Sequence, residues 1–188
     1  DAGIGKSRLV YEFLSNNSDI QNDDSFSIAH ASNISSQPYY LFITLLKDIF
    51  KISEVDSIKE SKNKLENFIK KVEKNTGNEL SSIVPFIGFI LGIKYEDNRL
   101  NDREEIQNHI NISIRTLLES ICLITNSKNK PYIFILEDLH WIDKMSMDLL
   151  IFITSTFDFK SKKEDKNTSY PLFICTFRKT YSLPDELI

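Results

Sequence analysis

The sequence is short of cysteine, of long hydrophobic runs and of positive charge, and each shortage removes a class of protein. Its two cysteines, Cys122 and Cys175, each lie in an apolar run, far from any His-Cys cluster. They read as reduced, buried thiols, not as a disulfide or a metal site. The most apolar stretch, Ile83 to Ile93, is broken by Pro85, Gly88 and Gly92. A bilayer span takes roughly 20 apolar residues, so this stretch does not cross one. No basic, apolar leader opens the chain, which points away from secretion. The net charge of −4 argues against the broad basic footprint of a nucleic-acid binder. Neither a membrane nor a direct nucleic-acid partner is expected, and a cytoplasmic location fits.

What is present is ordinary globular material. Hydrophobic residues make up 41% of the 188 and charged residues 27%, which excludes wholesale disorder and supports one substantial core. Past Lys6 the pattern turns helical: Leu9 and Phe13, and Val10 and Leu14, stand four apart on one expected buried face. The cluster Asn16-Asn17-Ser18-Asp19 stops that helix. A short strand is expected from Phe26 to Ala31.

The middle of the chain reads as helical, without internal repeats. Pro38 suits a first helical turn, and Phe42, Leu45, Leu46, Ile49 and Phe50 form an apolar stripe behind it. Ile58, Leu65, Ile69 and Val72 mark a charged amphipathic helix ending near Gly77. A short helix is expected around Ile83 to Leu91, and a long one through Ile106, Ile110, Ile114, Leu117 and Ile121. Tyr132 to Leu136 and Leu172 to Phe177 are continuous apolar runs rich in β-branched and aromatic residues, the pattern of strands buried on both faces. Asp143 is placed to cap a helix between them. Strand, covering helix and strand form a parallel unit whose charged ends emerge on one rim, where open α/β sheets bind ligands. The charged run Lys160 to Thr168 reads as a solvated loop.

Two motifs carry chemistry. Gly3-Ile4-Gly5-Lys6-Ser7 matches the second half of the phosphate-binding loop G-x-x-x-x-G-K-[ST]. Its glycines let successive backbone N–H groups converge on phosphate oxygens, and the helix that follows turns its positive end to the same anion. Lys6 supplies a mobile charge for the β- and γ-phosphates, and the Ser7 hydroxyl is a hard ligand for Mg²⁺. The motif's first glycine would fall one place before Asp1, so the chain is expected to be a piece of a longer protein. Glu137-Asp138 then ends an apolar strand, as an acidic pair that holds the Mg²⁺ shell and orients water should. Glu137 is assigned to the metal and Asp138 to the water. The reverse stays open, because neighbours on a strand point opposite ways.

Arg178 ends the last strand on the same expected rim, as a sensor of the γ-phosphate, with Thr176 two residues earlier as a second candidate. Set against that is a plain surface arginine after a strand. His140 and Trp141 are expected to pack beside the site, with Trp141 covering core. His30 and His109 are given no role.

With these residues assembled, the chain resembles the ATPase modules of the AAA-like and STAND classes, above all those accompanying class III adenylate and guanylate cyclase domains. The blocks that carry the likeness are Ala2 to Phe13, Pro38-Tyr39, Leu136-Glu137-Asp138-Leu139-His140-Trp141-Ile142-Asp143 with Ser146, and Thr176-Phe177-Arg178. The resemblance implies a three-layer α/β P-loop fold over residues 1–188, mostly parallel, with a helical insertion at 32–130. It implies a first strand beside the one ending in Thr176-Phe177-Arg178, and a fifth strand and helical lid, all outside the fragment. The nucleotide set is then Gly3, Ile4, Gly5, Lys6, Ser7, Arg8 and Thr176, the catalytic set Glu137, Asp138 and Arg178, and the metal ligands Ser7 and Glu137. ATP and Mg²⁺ are the implied cofactors. Slow hydrolysis would act as a switch on attached effector and sensor domains, with the oligomeric state open. A non-hydrolysing nucleotide scaffold and a replication-initiator-like DNA-acting protein are the rival readings.

Overall fold

A computed structural model describes residues 5–17, 25–97, 105–126, 131–156 and 171–187. Gly3, Ile4 and the charged run 160–168 lie outside the described residues. Three parallel strands, β1 (Phe26–His30), β2 (Ile133–Glu137) and β3 (Leu172–Cys175), form a sheet in the order β1-β2-β3. The register sets His30 beside Glu137 and Leu136 beside Cys175, so the three carboxyl ends finish on one rim.

β2 is central and wholly buried, as its unbroken apolar run requires. β3 differs from expectation: Leu172 is 44% exposed and the rest of the strand, with Cys175, is only half-buried. The reason is position. Among the described residues β3 has a strand on one side only. β1 is also an edge strand, but its outward N–H groups are taken. Ile28 N–H donates to Asp48 Oδ2 at 3.0 Å and His30 N–H to Thr44 Oγ1 at 3.4 Å. Both acceptors come from α2 (Tyr40–Phe50), which lies along the strand and blocks further pairing.

Helices cover both faces of the sheet. α1 (Lys6–Asn16) sets Val10 and Leu14 against Ile133 and Ile135, with Phe26, Ile28 and Ile174 around them. The Asn17 side chain caps its end by donating to Phe13 O at 2.7 Å. Leu9, expected on the buried face, is 73% exposed. It borders the side of β3 on which no described strand lies.

The opposite face packs Ala29, Phe134 and Leu136 against the larger core. That core takes side chains from α2, α3 (Ile58–Thr76), α4 (Val84–Ile90), α5 (Ile106–Asn126) and α6 (Lys144–Thr156). α2 alone buries Leu41, Phe42, Leu45, Leu46, Ile49 and Phe50, each stabilising the fold by about 1.5–3 kcal/mol through transfer from water. α3 is closed at both ends: Ser57 and Glu60 form a reciprocal capping box, and Gly77 ends it in the left-handed conformation at φ 75°. The chain is thus an α/β fold with a parallel sheet, and the described elements between β1 and β2 are helical.

α2 starts later than its proline suggests. Pro38 lies ahead of the helix, and Tyr39 turns into it with a left-handed backbone, φ 62°. Asp143 makes this start viable. Its two carboxylate oxygens accept from Tyr39 N–H and Tyr40 N–H, each at 3.0 Å. The same carboxylate caps α6, accepting from Ser146 N–H at 2.9 Å and Ser146 Oγ–H at 2.6 Å. One side chain therefore closes two helix starts.

Candidate functional site

The site lies at the carboxyl ends of the strands, where α1 begins. Gly5 precedes α1 with φ 89° and ψ 19°, a left-handed turn that suits glycine and swings the chain directly into Lys6. Lys6 is half-buried. It shares the wall of an apolar cavity of about 530 Å³ with Leu9, Val10 and Phe13 of α1 and with Ile174, Cys175, Thr176 and Phe177 at the end of β3. Ser7 is exposed at the same helix end, and Arg8 points along α1 to Glu12, 3.7 Å away, with 83% of its side chain exposed.

β3 and the acidic end of β2 are tied together by Thr176. Its hydroxyl accepts from Asp138 N–H at 3.1 Å and its carbonyl from Leu139 N–H at 2.9 Å. This hydroxyl is thus already engaged. Asp138 leaves the strand with φ 57° and ψ 39°, a left-handed conformation that costs a non-glycine residue about 1–3 kcal/mol. The turn separates the two carboxylates by environment. Glu137 has only 10% of its side chain exposed, whereas Asp138 has 48%. One Glu137 oxygen, Oε2, is 3.1 Å from His30 Nδ1. The other, Oε1, is buried and has no hydrogen-bond partner among the described residues.

His140 sits in the 3₁₀ turn Leu139–Trp141 that follows. Its ring is buried, and neither nitrogen has a hydrogen-bond partner among the described residues; Asp138 Oδ1 is 3.9 Å from Nδ1. Burial first, then the nearby Arg178, holds the imidazole's pKa below its usual value, with Asp138 opposing and Lys6 adding to the effect. Trp141 does not cover core. It is 40% exposed and lies under the Arg178 guanidinium, 5.2 Å from its carbon to the ring centroid. Arg178 is thereby held on the rim rather than released into solvent.

Lys6, Thr176, Glu137, Asp138 and Arg178 thus meet on one rim. Ser7 and Arg8 stand at its edge, and Gly3 and Ile4 lie outside the described residues. His30, given no role from sequence, joins the group through strand register, which no local pattern reveals. Among the described residues no three His, Cys, Asp or Glu side chains gather as a metal cage. A buried carboxylate oxygen with no partner among the described residues suits a cation that keeps most of its waters and takes its other ligands from phosphate, which is Mg²⁺ chemistry. The residues fit that group. Among the described residues no helix is long and apolar enough to cross a membrane.

Comparison with known proteins yields no match among curated proteins and none among solved structures. The family described as AAA ATPase domain matches residues 1–161, the stretch that holds both the half phosphate loop and the Glu137-Asp138 strand end. The chain belongs to the AAA ATPase domain family.

Proposed function

We propose that this domain binds Mg-ATP across the rim and hydrolyses it slowly, as a cytoplasmic switch within a larger signalling protein of the kind that carries cyclase or related effector and sensor domains. The observation that supports this most is the approach of two distant segments. Lys6 at the start of α1 lines a cavity with Thr176, and Thr176 grips the backbone of Asp138.

In this reading the backbone around Gly3, Ile4, Gly5 and Arg8 cradles the phosphates, and Lys6 neutralises their charge. Ser7 and Glu137 hold Mg²⁺, which would draw charge from the phosphate oxygens. The burial of Glu137 and the exposure of Asp138 support this division: the constrained carboxylate serves the cation and the solvent-facing one orients the attacking water. Arg178, braced on Trp141, reaches the γ-phosphate and distinguishes ATP from ADP, with Thr176 beside it. A neutral His140 keeps further positive charge out of the centre. The helical segment 32–130 is an insertion in this fold. The open side of β3, with the apolar groove beside it, is taken by a further strand of the longer protein, and a helical lid closes over the nucleotide.

Single-turnover hydrolysis with Glu137→Gln and Asp138→Asn tests the proposal. Each change is expected to slow phosphate release at least about tenfold, as loss of a positioned catalytic group does. Asp138→Asn should leave ATP affinity within about threefold, since it touches the water and not the phosphates. If neither change slows release, ATP only orders the fold and the domain is a nucleotide-binding scaffold.

A further inference from the structure

We propose that His30 is a positioning residue for Glu137, fixing the direction in which its carboxylate meets a hydrated divalent cation. The proposal rests on the reading of the rim as a Mg-ATP site. It starts from the sheet. β1 and β2 pair with His30 directly beside Glu137, and Ala31 N–H donates to Glu137 O at 3.0 Å, so the two strand ends are locked together. His30 Nδ1 reaches Glu137 Oε2 at 3.1 Å.

The two partners sit in opposite environments. The imidazole is 59% exposed while the carboxylate is nine-tenths buried. A glutamate at a strand end has free torsions, and one fixed oxygen removes most of that freedom. With Oε2 held, Oε1 takes a set direction, and it is the oxygen that has no hydrogen-bond partner among the described residues. A charged oxygen shut away from water is costly unless a ligand meets it. A cation with its water shell supplies both the charge and the donors that Oε1 needs.

His30 is itself held from behind. Thr44 Oγ1 of α2 stands 3.4 Å from both its N and its O, and donates to Leu41 O at 2.8 Å. The carboxylate therefore meets the His30 imidazole, and the His30 main chain meets the helix that begins at the Asp143 cap.

The test measures ATP affinity with Mg²⁺ and with EDTA, beside turnover, in the wild type, His30→Ala and His30→Asn. Loss of an outer hydrogen bond to a metal ligand costs about tenfold or more in metal affinity. His30→Ala should therefore reduce the gain in ATP affinity that Mg²⁺ confers by about tenfold, leaving affinity in EDTA unchanged. The asparagine amide stands close to where Nδ1 stood and should restore most of that gain. An unaltered Mg²⁺ effect in the alanine variant overturns the proposal. So does an equal loss in both variants, which marks a packing role, or a loss of affinity in EDTA that asparagine does not repair. A wild type that fails to bind ATP at all, or binds it equally with and without Mg²⁺, instead overturns the underlying reading of the rim.

Discussion

Replacing Lys6 by alanine is expected to weaken ATP binding at least about a hundredfold without lowering the melting temperature. A unit charge about 4 Å from another is worth about 4 kcal/mol at the effective dielectric of a protein surface. The helix end beside it contributes only about 0.3–1 kcal/mol to holding an anion. The lysine therefore dominates, and losing about 2.7 kcal/mol of that attraction already gives the hundredfold change. The fold should not suffer. Lys6 is the first residue of α1, where a cation opposes the helix dipole, and alanine is the better helix former. Titration with a fluorescent ATP analogue, paired with a thermal melt, reads both quantities. Affinity within threefold of wild type would remove Lys6 from the site, whereas a large fall in melting temperature would assign it to the fold.

The pairing of a binding loss with an intact fold reflects how the chain divides its labour, and the sequence shows some of that division more plainly than the rest. β2 was legible because both of its faces are buried, so Ile133 to Leu136 form an unbroken apolar run. α3 was legible because its stripe of Leu65, Ile69 and Val72 repeats at helical spacing up to Gly77. The Gly-Lys-Ser and Glu-Asp motifs stand out in the sequence because, in the function proposed above, phosphate and metal chemistry restrict residue type at fixed spacing. What escaped depends on through-space partners. His30 has no sequence neighbour to announce it, and only register brings it to Glu137. Trp141 looks like core from its apolar bulk, yet it serves as a half-exposed platform for Arg178. The exposure of Leu9 and Leu172 follows from a sheet edge on which no described strand lies, a feature of topology and not of local pattern. The start of α2 departs from its local pattern: Pro38 is a common first-turn residue, but the group that fixes the start lies 103 residues away at Asp143.

Asp143 therefore carries the largest expected effect on stability. Its sequence position suits a single helix cap, and a single cap is worth about 1 kcal/mol. The carboxylate instead accepts four hydrogen bonds, from Tyr39, Tyr40 and twice from Ser146. Bonds to a charged group contribute about 1.5–3 kcal/mol each, and they share one acceptor and are not additive. Asp143→Ala leaves the half-buried N–H groups of two helices unsatisfied, and Tyr39 keeps its strained backbone without the acceptor for its N–H. A loss of about 3–4 kcal/mol is expected, or about 8–12 °C in melting temperature for a domain of this size. Asp143→Asn retains one good acceptor and should lose about half as much, whereas a cap confined to α6 predicts only about 1 kcal/mol for the alanine change. Chemical denaturation of the wild type and both variants separates these outcomes, and hydrogen exchange at Tyr40 and Ser146 locates them. Faster exchange at both amides in Asp143→Ala would show the two helix starts opening together, which is what a shared carboxylate requires. Protection retained at Tyr40 would mean that α2 holds its own start, and the joint cap would have to be abandoned.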